Sequence, residues 1–147
     1  MSEKDHLFKG LEQMVRGFEI LDLPIICLEQ VPDKLGATIP QVATALSDYQ
    51  PISKKSFSSM GNSEFITVLE KSARKQVVLV GIEAHICVWQ SAAQLLNKGY
   101  EVTVISDAVS SRQPNNKRIA LDRMSGLGVN ISSVEMSLFE LLESADA

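Results

Sequence analysis

The chain has 147 residues, of which 45% are hydrophobic and 22% charged, and its formal net charge is −4. This length and composition fit a single globular domain over residues 1–147 and disfavour disorder, collagen-like repeats and disulfide scaffolds. The acidic balance gives no general attraction to nucleic acid or to anionic membranes. Because no apolar run approaches the roughly 18 residues of a membrane span and the polar start resembles no signal peptide, we expect a cytoplasmic protein.

Hydrophobic spacing alternates between helical and strand periods along the chain. The predicted elements are, in order, a helix over 7–21, a strand over 24–28, a turn over 32–36, a helix over 39–46, a short strand over 52–55, a helix capped by Asn62, a strand over 76–82, a helix over 84–98 closed by Gly99, a strand over 102–106, a helix from Asn115 or Asn116 to 125, a strand over 129–131 and a helix over 133–144.

This alternation predicts an α/β sandwich with a mainly parallel sheet. The segment 76–82 is apolar without alternation, which is typical of a parallel strand covered on both faces. A fold of this class ordinarily opens with a strand, whereas this chain opens with a helix. Either the fold tolerates a helix at its start, or an N-terminal strand is missing.

Cys87 is the strongest candidate for chemistry. Ligands of open α/β sheets bind at the carboxyl ends of the strands, and Cys87 is predicted in the first helical turn after the strand 76–82. Backbone N–H groups and the helix dipole at that place stabilise a thiolate and can hold an oxyanion. The alternative is that Cys87 is a small buried hydrophobic residue, as many cysteines are.

A thiolate needs a neighbouring cation or base, and two adjacent lysines follow the predicted strand at Ile52. Either Lys54 or Lys55 could reach the same sheet edge, and the alternative for each is a solvated surface lysine. His85 could line the pocket, Glu29 and Gln30 follow the first predicted strand, and Asp107 fits a turn or cap. With two histidines and no phosphate-binding glycine loop, the sequence predicts no metal site and no cofactor.

The order of several motifs resembles the isochorismatase-like cysteine hydrolases, in particular the isochorismatase domain-containing proteins. The resemblance extends over nearly the whole chain from about Lys4. The segments that carry it are Gly81–Val88, Glu29-Gln30 with Lys34-Leu35-Gly36, Lys54–Ser58, Ser106–Arg112, Ala120–Met124 and Glu135–Leu141.

This resemblance implies a Rossmann-like three-layer α/β/α fold and an Asp–Lys–Cys triad that hydrolyses amide or related carbon–nitrogen bonds. Cys87 matches the nucleophile, and Lys54 matches the lysine because an aromatic residue, Phe57, stands three positions later. The backbone N–H groups of Glu83 and Cys87 match the oxyanion hole, with a cis peptide bond before Glu83. Glu29, Gln30, Phe57 and His85 are pocket candidates.

The family's aspartate ends a first, central strand, and we expect both the strand and the aspartate to be missing here. Weak hydrolysis is then expected, and a catalytically inactive protein or an interaction module of the same fold is the alternative. A redox role for the Cys87 thiol is a third possibility. The expected partners are a small-molecule substrate and further copies of the chain in a homo-oligomer.

Overall fold

The computed structural model describes residues 3–145. These residues form seven α-helices and five β-strands, together with a 3₁₀ turn and a π-helical turn. The helices are α1 (Glu3–Ile20), α2 (Pro32–Leu35), α3 (Pro40–Ala45), α4 (Ser63–Ser72), α5 (Trp89–Asn97), α6 (Pro114–Leu127) and α7 (Val134–Leu142). The strands are β1 (Leu28–Gln30), β2 (Ile52–Lys54), β3 (Gln76–Ile82), β4 (Glu101–Ser110) and β5 (Asn130–Ser132), with the 3₁₀ turn at Ser59–Gly61 and the π turn at Ala84–Val88.

All strand pairs are parallel, and they form two sheets. β1 pairs with β2, placing Gln30 opposite Lys54, while the other sheet has the order β3-β4-β5. The β3–β4 register shifts between Leu79 and Gly81, and the pairing ends with Ile82 opposite Ser110. Among residues 3–145, β1 and β3 each have one edge that pairs with no strand.

Helices cover both faces of the three-stranded sheet, which confirms the predicted α/β class. β4 shows how the two faces are used, because Val102 and Val104 enter the core formed with α4, α5 and α6. Ile105 and Ala108 enter a second core on the opposite face, where Met14 of α1 and Val134 of α7 cover them. The alternation of a strand thus supplies both layers of helices with buried side chains.

Three predicted elements differ from the structure. The strand expected at 24–28 is instead β1, because the pairing with β2 begins at Leu28 opposite Ile52. The predicted turn at 32–36 contains one helical turn, α2, with Pro32 at its start. Neither Asn115 nor Asn116 caps α6, since Gln113 is its N-cap and Pro114 occupies the first turn.

β4 also runs further than predicted, since pairing with the end of β3 carries it to Ser110. Asp107 therefore lies inside a strand rather than after it. Its carboxylate accepts a hydrogen bond from the backbone N–H of Val134 at 2.8 Å, so it caps α7 together with Ser133. No helix among the described residues combines the length and apolar character needed to cross a membrane.

Candidate active site

The carboxyl ends of β1, β2 and β3 bring Gln30, Lys54 and Cys87 together. Lys54 is the last residue of β2, and its side chain is buried, with 6% of the residue exposed. Its Nζ donates hydrogen bonds to the side-chain oxygen of Gln30 and to the carbonyl oxygens of Ser56 and Phe57, at 3.0 and 2.8 Å for the two carbonyls. A buried ammonium with three oxygen acceptors is held in one position.

Burial and Cys87 act in opposite directions on the Lys54 ammonium. Burial lowers the pKa of Lys54, because removing a charge from water disfavours the charged form. The neighbouring Cys87 side chain raises it, but burial outweighs this effect and the pKa of Lys54 is lowered. Cys87 is half-buried and is not in a disulfide. The structure therefore places a free thiol beside a buried lysine side chain.

Cys87 lies within the π turn Ala84–Val88, which joins β3 to α5. The peptide bond between Ile82 and Glu83 is cis, as the resemblance implied. The carbonyl oxygen of Glu83 accepts hydrogen bonds from the N–H groups of Ile86 and Val88, at 3.1 and 3.3 Å. These bonds wind the chain tightly around the residues proposed for the oxyanion hole, and π turns are often found at functional sites.

A second group of polar side chains connects this turn to the end of β4. Glu83 Oε1 accepts a hydrogen bond from Arg112 Nε at 3.0 Å. His85 Nδ1 lies 2.7 Å from Ser111 Oγ and 3.6 Å from Glu83 Oε2. A polar cavity of about 320 Å³ adjoins the group and is lined by Glu83, His85, Arg112, Gln113 and Asn116. Sequence reasoning assigned no role to Ser111 or Arg112, although both follow the strand next to β3.

Glu29 takes part in a separate network. Its Oε2 accepts hydrogen bonds from Thr38 N and Oγ1, at 2.9 and 2.7 Å, and from the hydroxyl of Tyr49. Burial alone would raise the pKa of Glu29, but these donors outweigh it and the pKa is lowered. The other cysteine, Cys27, contacts Thr38 Oγ1 at 3.2 Å, and burial raises the pKa of its thiol.

The candidate residues thus divide into two sets. Lys54 bonds to Gln30 and lies beside Cys87, and Glu83 and His85 lie on or beside the turn that carries Cys87. Glu29 is bound by Thr38 and Tyr49, and Phe57 contributes a carbonyl oxygen to Lys54 while 54% of the residue is exposed. Pocket roles for Glu29 and Phe57 stay predictions. Within residues 3–145, histidine, cysteine and acidic side chains form no cluster that could hold a metal ion.

Comparison with known proteins gives a consistent result. The family model for the isochorismatase domain matches residues 1–136. The secreted isochorismatase effector Isc1 of Phytophthora sojae is 37% identical over 142 residues, covering 92% of this chain and 67% of that protein. The isochorismatase domain-containing protein 2 of Danio rerio is 35% identical over 133 residues, covering 90% of this chain and 66% of that protein.

Solved structures show the same architecture. A protein described as the MAR1 ribonuclease of Caenorhabditis elegans matches with a TM-score of 0.90 and 34% identity, over 97% of this chain and 73% of that one. The YcaC gene product of Escherichia coli, described as an octameric hydrolase of unknown specificity, matches with a TM-score of 0.86 over 95% of this chain and 68% of that one. At 21% identity, the second likeness concerns the fold alone.

Proposed function

The chain belongs to the isochorismatase family, and from that premise we propose that it is a cysteine hydrolase acting on an amide or related carbon–nitrogen bond of a small molecule. The observation that carries the proposal is that the Cys87 side chain lies beside the buried ammonium of Lys54. The chain spans about two thirds of the length of these two relatives, and the activity is proposed for this chain only.

In the proposed reaction the Cys87 thiolate attacks the carbonyl carbon of the substrate. A carbon–sulfur bond forms, and the electron pair of the C=O bond moves onto oxygen. The backbone N–H groups of Glu83 and Cys87 stabilise this oxyanion, as the resemblance implies. Collapse of the intermediate breaks the carbon–nitrogen bond, the amine leaves with a proton, and water then hydrolyses the thioester.

Proton transfer limits the proposed reaction. Within residues 3–145, the Lys54 ammonium donates to an amide oxygen and two carbonyl oxygens, and no carboxylate is among these acceptors. A positioned acid or base contributes roughly 10²- to 10⁴-fold to the rate of such reactions. We therefore propose slow turnover by this chain, and an inactive member of the family is the second candidate.

The proposed substrate is a small molecule rather than nucleic acid. The name of the nematode neighbour includes ribonuclease activity, but a net charge of −4 gives this chain no general attraction to phosphates.

Alkylation of the native protein with iodoacetamide at about pH 7, followed by peptide mapping, tests the nucleophile. We expect Cys87 to react faster than Cys27, because Cys87 faces Lys54 whereas burial raises the pKa of Cys27. Lys54→Met should slow the alkylation of Cys87 several-fold, because it removes the cation beside the sulfur. Lys55→Met is the matched control and should leave the rate unchanged. Faster labelling of Cys27 would contradict the assignment.

Hydrolysis of simple aliphatic amides separates the two candidate functions. Slow release of amine that is abolished by Cys87→Ala supports a hydrolase. Release that persists in Cys87→Ala would show that the cysteine mechanism is wrong. A reactive Cys87 without any release would support the inactive alternative.

A further inference from the structure

The carboxylate of Glu83 connects the turn that carries Cys87 to the segment after β4. Its Oε1 accepts a hydrogen bond from Arg112 Nε, and its Oε2 is shielded from solvent and receives no hydrogen bond from any described residue. His85 from the same turn lies close to Oε2, at 3.6 Å, while its Nδ1 contacts Ser111 Oγ. Two side chains of the turn thus meet two consecutive residues beyond β4.

The two peptide units on either side of Glu83 differ in how firmly backbone contacts hold them. Downstream, the Glu83 carbonyl oxygen is fixed by the N–H groups of Ile86 and Val88. Upstream, the β3–β4 pairing ends at Ile82, which is 61% exposed and therefore packs little against the protein. The peptide unit that carries the Glu83 N–H joins Ile82, the last paired residue, to Glu83, so the Glu83 side chain is the next anchor available to it.

We propose that Glu83 is a positioning residue whose carboxylate, held by Arg112 and bordered by His85, orients its own backbone N–H toward the substrate oxyanion. This inference rests on the proposed hydrolase function and deepens it. Arg112 is 88% exposed in its side chain, so water screens the ion pair and its contribution to stability is small. The pair therefore serves orientation, and its loss changes oxyanion binding more than folding.

Reversible addition of an aldehyde to Cys87 measures oxyanion binding without turnover. The sulfur attacks the aldehyde carbon, the C=O electron pair moves to oxygen, and the thiol proton ends on that oxygen, giving a hemithioacetal with no leaving group. We choose ¹³C-labelled acetaldehyde, whose hemithioacetal carbon is resolved by NMR. Its dissociation constant depends on the donors around the oxygen, since a misplaced donor loses much of its hydrogen-bond energy.

Four variants of the full chain separate positioning from other roles. Glu83→Ala should weaken acetaldehyde binding about tenfold, a part of the 10²- to 10³-fold effect of removing one oxyanion donor. Arg112→Gln should weaken it less, by about two- to fivefold, because the exposed ion pair is screened by water. Glu83→Gln retains an oxygen that can accept from Arg112 and should recover part of the loss. Arg118→Gln is the control, because Arg118 pairs with Asp122 within α6, and it should bind as the wild type does.

Two further measurements on the same variants decide between the explanations. The rate of alkylation of Cys87 by iodoacetamide should stay within about twofold of wild type, because alkyl transfer forms no oxyanion. The Tm should also stay close to that of the Arg118→Gln control.

A wild-type Cys87 that neither alkylates nor forms the hemithioacetal overturns the proposed function and this inference with it. A reactive wild type whose Glu83→Ala and Arg112→Gln variants bind acetaldehyde unchanged overturns the positioning role alone. Loss of binding that follows a large fall in Tm assigns Glu83 to folding and equally overturns it.

Discussion

At the scale of single residues, two buried charged groups lie at the ends of β1 and β2 and serve different purposes. The Lys54 ammonium is turned toward Cys87, whereas the Glu29 carboxylate is turned toward Thr38 and Tyr49. Neighbouring strand residues point to opposite faces, so Gln30 reaches Lys54 while Glu29 does not. The side-chain period of a strand therefore decides which polar residue joins the site.

Glu29 provides a prediction about the pH dependence of stability. Its pKa is lowered in the folded protein, so its stabilising effect is present above the unfolded pKa of about 4.3 and is lost as the pH falls through the folded value. We expect Glu29→Gln to lower the free energy of unfolding by about 1–3 kcal/mol near pH 7, because a carboxylate is replaced as acceptor of three donors. The loss should shrink at acid pH, as the wild-type carboxyl also becomes neutral below its lowered folded pKa.

Urea denaturation at both pH values measures this difference. Glu70→Gln, on an exposed part of α4, is the control and should change the free energy by less than about 0.5 kcal/mol at either pH. An equal loss for Glu29→Gln at both pH values would show that the carboxylate charge contributes nothing.

The sequence predicted part of this site, for reasons that are visible at single residues. The position of Cys87 followed from the apolar run of β3 and the helix after it. The sequence pattern alone left Lys54 and Lys55 equivalent, because period-2 alternation needs a known strand register, and the resemblance was needed to choose between them. The contact between His85 and Ser111 joins residues 26 positions apart and depends on the register of β3 and β4, which local patterns do not contain.

At the scale of elements, α1 packs closely on β4 through a glycine. A Cβ at Gly10 would lie 2.6 Å from the backbone carbonyl oxygen of Asp107, and a backbone oxygen cannot turn aside as a side chain can. Gly10→Ala should therefore lower the free energy of unfolding by about 1–3 kcal/mol. Gly126 in α6 has no atom within 4 Å of the same position, so Gly126→Ala should raise it by about 0.5–1 kcal/mol. Chemical denaturation of both variants gives the comparison, and equal effects would contradict the close approach of α1.

The strands β3 and β4 show where an apolar pattern is sufficient to predict the bounds of a strand and where it is not. β3 has the predicted bounds because Val77 to Val80 form a continuous apolar run, which leaves one interpretation. The end of β4 was predicted too early because Ser106 and Asp107 look like a strand terminus in the sequence. In the structure the strand continues, and Asp107 instead caps a distant helix. Whether a polar residue ends a strand or lies within it cannot be decided until its hydrogen-bond partner is known.

The unpaired edges of β1 and β3 give a second prediction for an element. Val77 to Val80 of β3 are only half-buried, although an apolar parallel strand is normally covered on both faces. An engineered N-terminal extension of about five β-branched residues ending in Asp would suit these edges, because a central strand pairs with a neighbour on each side. The resemblance implies a strand with an aspartate in that place.

We expect this extension to raise the midpoint of urea denaturation and to increase amide hydrolysis by up to about 10²- to 10⁴-fold through general acid–base catalysis. The same extension ending in Asn is the control, and it should stabilise the protein equally without the gain in hydrolysis. Equal hydrolysis by both versions would exclude the added carboxylate as the proton-transfer group.

At the scale of the whole molecule, the exposed apolar side chains are unevenly distributed. Met136 and Phe139 are 63% and 65% exposed and stand three residues apart, on one side of α7. Leu35 is 72% exposed on the single turn of α2. Isolated apolar residues are normal at a surface, whereas adjacent ones indicate an interaction site.

We therefore expect the chain to form at least a dimer, with the exposed side of α7 in the contact. Burying two large side chains on each protomer stabilises association through the apolar area removed from water, at about 25 cal/mol per Å².

Light scattering coupled to size-exclusion chromatography, over a range of protein concentrations, measures the mass directly. Met136→Glu combined with Phe139→Glu should lower that mass toward the monomer value, because four carboxylates would face one another across a two-fold contact. Leu35→Glu, the control, should keep the wild-type mass. A wild-type monomer at every concentration would contradict the oligomer, and an unchanged mass for the double variant would place the contact elsewhere than on α7.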